Sequence, residues 1–288
     1  MLSYAVITPA RNEATNLVPL ARCLAAQTVL PTRWMIVDNG STDRTAEVAG
    51  RLAREHEWIR QTAAPGEPGA VRGGPIVRSF AAGLAALDDV APDVVVKLDA
   101  DLTMDAGYFD GLLTAFAADR QLGIASGICH EQENGSWRPL YGTRSHVWGA
   151  CRAYRRECLH DVLPLEERQG WDEIDALKAQ LRGWRVGTLF KLPFYHHRPE
   201  GDRDGARARW ADQGDTAHYM GYRPSYLFLR TVFQARHDPH ALGMLWGYGR
   251  AAAQRAPRLA DEDARAYLRE QQRLRALPVR AREALGRS

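Results

Sequence analysis

The first half of the chain alternates short apolar runs with segments whose apolar residues recur at helical spacing. Three runs have the length of buried strands and lie at residues 4–7, 34–37 and 94–98. Three stripes at helical spacing lie between or after them: Leu17, Leu20 and Leu24; Ile76, Phe80, Leu84 and Leu87; and Phe109, Leu112, Leu113 and Phe116. Such alternation is typical of successive βα units around a mainly parallel sheet. The sequence therefore predicts an α/β fold.

The pattern changes near residue 200, which indicates a boundary there. We expect one domain over residues 1–200 and a helical segment over residues 201–288. Inside the first domain, helices are expected at 154–159 and 173–181. A polar stretch at 199–214 follows, and helical periodicity then returns at 226–234, 241–253 and 261–277.

The net charge of +3 is unevenly distributed along the chain. From residue 201 onward, 16 Arg and no Lys stand against 10 Asp and Glu, so this segment carries +6 and residues 1–200 carry −3. Apolar, aromatic stretches at 226–233 and 242–248 lie among these arginines. The segment either docks peripherally on an anionic membrane surface, covers the first domain, or forms a homodimer contact. We expect no nucleic-acid partner, because solvated helix faces account for most charge excesses of this size.

The cysteines and the N-terminal sequence predict the cellular compartment of the protein. The four cysteines contain no C-x-x-C pair, which argues against a zinc knuckle or a disulfide framework. The chain begins with an apolar strand pattern rather than a signal peptide, and no apolar run approaches the roughly 18 to 20 residues that span a bilayer. We therefore expect a cytoplasmic protein, either free or at the inner face of the membrane.

Polar residues follow each of the three apolar runs. The three segments are Thr8-Pro9-Ala10-Arg11-Asn12-Glu13, Asp38-Asn39-Gly40-Ser41-Thr42-Asp43 and Asp99-Ala100-Asp101. In an open α/β sheet, ligands bind outside the carboxyl ends of the strands. The three segments are therefore predicted to form one site. A carboxylate at position 38 can accept an N–H group of a uracil or guanine ring, whereas Asp43 is equally suited to cap the next helix.

Asp99 and Asp101 form an Asp-x-Asp pair directly after a buried run. Two carboxylates on one tight turn repel each other unless a cation lies beside them. Mg²⁺ and Mn²⁺ prefer carboxylate and diphosphate oxygens, and such an ion would neutralise a leaving nucleoside diphosphate. The alternative is a solvated turn. The position of the pair favours a divalent-cation site.

Taken together, in this order and spacing, these segments resemble the inverting family 2 glycosyltransferases of GT-A fold. The likeness continues through Gly170-Trp171-Asp172-Glu173-Ile174-Asp175 and His196-His197-Arg198, and it covers about the first two thirds of the chain. It implies a Rossmann-like, mainly parallel sheet flanked by helices. The implied reaction moves a hexose-type sugar from a UDP- or GDP-sugar to a hydroxyl of a glycan or lipid-linked acceptor.

The resemblance also implies roles for single residues. The implied donor-binding residues are Pro9, Arg11, Glu13, Asp38 and Asp99, and the implied metal ligands are Asp101, Asp99 and one imidazole, for which we name His197. Arg72 is a further donor candidate, because it lies in a Gly- and Pro-rich loop at 65–75 that could cover a ligand.

The catalytic carboxylate stays open among three residues. The family usually has Glu-Asp after a glycine or an aromatic residue, whereas this chain has Trp171-Asp172-Glu173-Ile174-Asp175. Inverting transfer needs one carboxylate to take a proton from the acceptor hydroxyl. Asp172 is preferred over Asp175 and Glu173, and Asp172 and Asp175 share one helix face. A purely capping role is the alternative. Trp171 either forms a wall for the acceptor or packs in the core.

Two other functions fit parts of this pattern. A sugar-nucleotide nucleotidyltransferase would also combine an α/β sheet with carboxylate-bound metal, but residues 8–13 contain no glycine and so do not form a Gly-rich loop. A non-catalytic nucleotide-binding or membrane-docking module could share the fold, because fold alone does not confer activity.

Overall fold

A mixed nine-stranded sheet organises the first two thirds of the chain in its computed structural model. The structure describes residues 1–64, 73–87, 89–133, 135–140, 146–198, 205–236 and 238–273. Within them the strands are β1 (Tyr4–Ala10), β2 (Arg33–Asp38), β3 (Ile59–Ala63), β4 (Val94–Leu98), β5 (Leu102–Met104), β6 (Leu122–Glu133), β7 (Ser136–Pro139), β8 (Cys151–Arg155) and β9 (Arg185–His196). Their order is β3-β2-β1-β4-β8-β6-β9-β5, and β7 pairs with β6.

Helices cover this sheet, and further helices follow it along the chain. Those of the sheet domain are α1 (Leu17–Ala25), α2 (Thr45–Glu55), α3 (Gly74–Ala85), α4 (Tyr108–Ala118), α5 (Arg156–Val162) and α6 (Trp171–Leu181). Those that follow are α7 (Gly205–Tyr219), α8 (Pro224–Ala235), a 3-10 helix (Pro239–Leu242), α9 (Gly243–Ala253) and α10 (Glu262–Gln271).

The three apolar runs of the sequence are the central parallel strands. β1 lies between β2 and β4 and is parallel to both, and β2 is parallel to β3. Side chains from both faces of these strands are buried, in one cluster with Leu17, Leu20 and Leu24 of α1 and in another with Val77 and Phe80 of α3. Burial on both faces explains why the runs are continuously apolar rather than alternating. The predicted α/β fold is confirmed.

The second half of the sheet is mixed. β8 is antiparallel to β4 and β6, β9 is parallel to β6, and β5 is antiparallel to β9. Residues 154 and 155, expected in a helix, end strand β8, and the helix begins only at Arg156. Pairing with β4 decides the outcome, because Tyr154 lies opposite Val95.

Two further expectations from periodicity need correction. Of the predicted stripe, Phe80 and Leu87 are buried and Leu84 packs against the core, whereas Ile76 is 37% exposed and Val77 is buried in its place. Residues 205–214, expected in a polar connection, belong to α7.

The chain divides into two compact units, Met1–Arg198 and Pro199–Ser288. In the second unit, helices α7 and α9 pack closely because each has a glycine at the contact. A methyl group added at Gly247 would overlap the carbonyl oxygen of Ala211, and one added at Gly214 would overlap that of Met244. Of the helices in the described ranges, none combines the length and hydropathy needed to cross a bilayer.

We expect Gly247→Ala to destabilise the second unit by about 1–3 kcal/mol, because the added methyl group forces α7 and α9 apart. Gly249→Ala is the matched control in the same helix, since a methyl group there meets no atom within 4 Å. It should be neutral or stabilise the chain by about 0.5–1 kcal/mol, the usual helical preference of Ala over Gly. Urea unfolding followed by circular dichroism measures both, and equal effects of the two variants would contradict the close packing.

Candidate functional site

The carboxyl ends of β1, β2 and β4 meet at one edge of the sheet. Ala10 pairs with Asp38, and Ile7 pairs with Lys97, so the segments that follow these strands emerge side by side. Asn39 N donates a hydrogen bond to Ala10 O at 2.8 Å. The three polar segments that the sequence singles out therefore share one location.

The loops after β1 and β2 are tied together by side-chain hydrogen bonds. Asn12 has a left-handed backbone with φ of 58°, and its Oδ1 accepts from Thr42 N at 2.8 Å. Asp43 Oδ1 accepts from Thr45 N at 2.9 Å, at the start of α2, and hydrogen bonds from Thr45 lower the pKa of Asp43. Asp43 thus accepts from the first backbone N–H of α2, although the N-cap position itself is Arg44.

The donor-binding candidates have different surroundings. Pro9 and Asp38 are half-buried at the strand ends, and Arg11 is exposed in the loop after β1. Arg72 lies outside the described residues. Glu13 is buried, and it receives the guanidinium of Arg198 with Nη2–Oε2 at 2.8 Å and Nη1–Oε1 at 3.1 Å. Glu13 therefore anchors Arg198 at the edge where a donor would lie.

Asp99 is held by a buried lysine that the sequence analysis overlooked. Lys97, only 2% exposed, donates from Nζ to Asp99 Oδ1 at 2.6 Å and to Gly149 O at 2.8 Å. The Trp171 ring lies 5.7 Å from the same nitrogen. Burial raises the pKa of Asp99, and the positive charge of Lys97 opposes this shift. The sequence did contain a signal for this ion pair, namely a lysine within a buried apolar strand two residues before an aspartate.

Asp101 is buried between an imidazole and a guanidinium. His196 Nε2 lies 3.5 Å from Asp101 Oδ1, and Arg198 Nε lies 3.5 Å from Asp101 Oδ2. Burial alone would raise the pKa of Asp101, but the hydrogen bond and charge of His196, together with Arg198, hold it below its ordinary value. Asp101 is therefore ionised at neutral pH.

The structure brings His196, rather than the predicted His197, to the aspartate pair. His197 is exposed, its Nε2 lies 2.8 Å from Thr103 Oγ1, and its ring packs edge-on against Trp137. His196 is the last residue of β9 and His197 directly follows it, and the two imidazoles have different neighbours, Asp101 for His196 and Thr103 for His197.

The carboxylate of Asp172 lies beside Gly149. Asp172 is half-buried in the first turn of α6, and a methyl group added at Gly149 would lie 2.8 Å from its Oδ2. The Gly149 carbonyl accepts from Lys97, and Asp99 N donates to Ala150 O at 2.8 Å. Gly149 is therefore a neighbour both of the Asp172 carboxylate and of the lysine that holds Asp99. Glu173, the next residue, is also half-buried.

Asp175 has a different setting from Asp172. It is 1% exposed, forms a buried ion pair with Arg152, and accepts from Tyr154 Oη at 2.5 Å. Burial raises the pKa of Asp175 to about 6, and Arg152 and Tyr154 oppose the shift. Asp175 is therefore enclosed and already occupied by these partners, in contrast to Asp172 in the preceding turn.

Arg152 connects this pair to the position of Asp172. Its guanidinium also donates to Val147 O at 2.7 Å and to Asp172 O at 2.8 Å. Trp171 is buried between Lys97 and Arg152, with ring distances of 5.7 and 5.9 Å. The sequence allowed Trp171 either to form a wall for the acceptor or to pack in the core. Its surroundings in the structure are those of a core residue.

The side chains around Asp101 suit a divalent cation. Asp99 and Asp101 offer carboxylate oxygens, and His196 offers a ring nitrogen. Two ligands bound about 2.1 Å from one ion lie about 3 to 3.5 Å apart, and Asp101 Oδ1 and His196 Nε2 are separated by 3.5 Å. A set of hard oxygen ligands with one imidazole matches Mn²⁺ or Mg²⁺ chemistry.

Comparison with known proteins agrees with this picture. The model of "Glycosyl transferase family 2" matches residues 5–163, which is more than half of the chain and includes Asp38, Asp99 and Asp101. An uncharacterised glycosyltransferase of Mycobacterium tuberculosis is 26% identical over 199 residues, covering 64% of this chain and 82% of the relative. Asp172 and His196 lie beyond the residues matched by the family model.

Solved structures share the fold at low sequence identity. The mannosyltransferase PcManGT of Pyrobaculum calidifontis, in complex with GDP-Man and Mn²⁺, gives a TM-score of 0.57 at 16% identity, covering 98% of this chain and 84% of that chain. GalNAc-T7 with UDP, GalNAc and Mn²⁺ gives 0.60 at 12% identity, covering 83% of this chain and 52% of that chain. These likenesses confirm the GT-A type of α/β fold.

Proposed function

The chain belongs to glycosyl transferase family 2, and we propose that it is a metal-dependent, inverting enzyme that moves a hexose-type sugar from a nucleoside-diphosphate sugar to an acceptor hydroxyl. The observation that carries the proposal is that the Asp172 carboxylate lies beside Gly149, whose carbonyl accepts from the same Lys97 that holds Asp99. This neighbourhood supports a half-buried base near the Asp-x-Asp pair.

The donor would lie along the carboxyl edge of β1, β2 and β4. Asp38, Pro9 and Arg11 are the candidates for the nucleoside, and Asp99 is the candidate for the ribose or sugar. PcManGT is in complex with GDP-Man and GalNAc-T7 with UDP. These ligands support a UDP- or GDP-sugar as the donor class.

Asp101, Asp99 and His196 would hold the cation. A divalent ion bound there would neutralise charge on the leaving nucleoside diphosphate. The chain prepares the site by keeping Asp101 ionised beside His196 and Arg198. The Mn²⁺ in both structural neighbours supports this proposal.

Asp172 would act as the general base. Inverting transfer needs one carboxylate to take the acceptor proton as the hydroxyl attacks the anomeric carbon. Asp172 is half-buried in the first turn of α6, where its backbone is fixed by Arg152. Asp175 would position α6 rather than react, because Arg152 and Tyr154 occupy its carboxylate.

We expect Asp172→Asn to lower turnover by roughly 10² to 10⁴ while donor binding stays intact, which is the range for loss of a general base. The measurement is release of free nucleoside diphosphate from UDP- and GDP-sugars with Mn²⁺ and acceptor. Gly149→Ala should also lower turnover, because the new methyl group displaces the Asp172 carboxylate and meets no backbone atom among its three nearest neighbours. Glu173→Gln is the matched control, and a larger loss there would transfer the role to Glu173.

We expect nucleoside-diphosphate binding to require a divalent cation and Asp101→Ala to abolish most of that dependence. In Mn²⁺, the affinity of Asp101→Ala should fall to the level that the unchanged chain shows in chelator. Thermal shift with UDP and GDP measures this, because a ligand of the native state raises apparent stability. Equal affinity in chelator and Mn²⁺, with active Asp101→Ala, would rule out the metal role.

The second unit would bring the enzyme to an anionic membrane surface, and so to a lipid-linked acceptor. Large side chains on α8, the 3-10 helix and α9 are exposed, among them Phe228 at 55%, Leu242 at 58% and Trp246 at 68%. Residues 224–260 contain five Arg and a single acid, Asp238. The Asp238 carboxylate accepts from Trp210 Nε1 at 2.6 Å. Exposed rings in a segment with more Arg than acidic residues suit the interface of an anionic bilayer.

We expect the full chain to co-sediment with vesicles that contain phosphatidylserine, and binding to fall with salt. Arg250→Glu combined with Arg255→Glu should reduce binding, since each Arg near an anionic leaflet contributes about 1 kcal/mol. Arg51→Glu combined with Arg54→Glu, on exposed positions of α2, changes the charge equally and should leave binding unchanged. Absence of co-sedimentation at low salt would contradict membrane docking. Dimerisation through the exposed side chains Phe228, Leu242 and Trp246 would contradict it as well.

A further inference from the structure

Glu131 faces the histidine that lies beside Asp101. Its Oε1 lies 3.3 Å from His196 Nδ1, while His196 Nε2 faces Asp101 Oδ1 at 3.5 Å. The exposed fractions of the Glu131 and His196 side chains are 15% and 13%. The two ring nitrogens therefore have different partners, one carboxylate on each side.

The strand pairing creates this arrangement. Glu131 of β6 pairs with His196 of the parallel strand β9, and Leu102 of β5 pairs with His196 from the other side. The register between β6 and β9 shifts between Gly127, opposite Leu189, and Ile128, opposite Pro193. Without this irregularity, Glu131 would pair with Pro193. The three additional residues of β9 at 190–192 thus set the imidazole beside Glu131.

We propose that Glu131 is a positioning residue for His196: it accepts the Nδ1–H and thereby presents Nε2 to the cation held with Asp101. The inference rests on the proposed metal-dependent function and extends it to a residue that the sequence analysis did not name. A neutral imidazole carries one N–H, and the acceptor beside that N–H fixes which nitrogen is left to bind a metal. A carboxylate in this place also makes the imidazole a stronger ligand.

A different arrangement of the same side chains is chemically conceivable. Cys129, Glu131 and His196 each offer a ligand atom, and these atoms lie within 4.8 Å of one another. In that case Glu131 would bind a cation directly with a negatively charged oxygen. A glutamine at this position keeps an oxygen acceptor for Nδ1–H but is a poor metal ligand, so it separates positioning from ligation.

The first experiment measures the Mn²⁺ dissociation constant of the full chain, from the EPR signal of unbound Mn²⁺, without donor or acceptor. Glu131→Ala should weaken Mn²⁺ binding about 10- to 100-fold, the usual cost of losing a partner of a ligating histidine. Glu131→Gln should restore most of the affinity. Glu133→Ala, two residues further along β6 and exposed, is the matched control and should bind like the unchanged chain. Circular dichroism confirms that each variant is folded.

The second experiment detects the Nδ1–H of His196 itself by ¹⁵N-edited NMR, in the absence of any metal. Its hydrogen-bonded resonance, assigned by its loss in His196→Gln, should disappear in Glu131→Ala and persist in Glu131→Gln. Absence of this resonance in the unchanged chain, or unchanged Mn²⁺ affinity in folded Glu131→Ala, overturns the proposal. Equal losses in Glu131→Gln and Glu131→Ala overturn it in favour of direct ligation. If the resonance behaves as expected but no variant binds Mn²⁺, the positioning contact stands and the metal-dependent function fails.

Discussion

The buried ion pair of Arg152 and Asp175 fixes the geometry on which the candidate site depends. Arg152 lies on β8, in the middle of the sheet, and Asp175 lies on α6. Removing one partner of such a pair costs about 3–5 kcal/mol, because the other charge is left uncompensated in the interior. The same guanidinium binds the backbone carbonyl of Asp172. One fully buried side chain thus sets the position of the residue that we assign as the base.

Three acidic residues of the site are paired with basic side chains of the same chain. Lys97 holds Asp99, and Arg198 holds Glu13 and approaches Asp101. Arg198, which follows β9, links the segments after β1 and β4 through Glu13 and Asp101, and Lys97 links Asp99 to the segment before β8 through Gly149 O. A site whose side chains are fixed before the ligand arrives loses less conformational entropy on binding. The edge of the sheet is therefore organised by charge as well as by packing.

Much of the fold was predictable from local patterns, whereas the arrangement of the site was only partly so. Apolar runs identified β1, β2 and β4, and the resemblance to family 2 is confirmed. The choice between His196 and His197 depended on a register shift in β9 that no periodicity reveals. Arg152 and Asp175 lie 23 positions apart and meet because the fold brings a side chain of β8 to one of α6. Contacts of this kind depend on tertiary structure, so single motifs could not predict them.

The charges around the end of β4 give a physical reason for coupling the donor to a cation. Among the described residues, the acids Glu13, Asp99, Asp101, Glu131 and Asp172 stand against the cations Lys97 and Arg198, with the His196 imidazole between Asp101 and Glu131. A donor diphosphate brings further negative charge to a place where carboxylates already outnumber cations. Coulomb repulsion between such groups is strong where water is partly excluded. A divalent cation bound together with the donor would offset this repulsion, so the acidic excess supports the proposed metal-dependent donor binding.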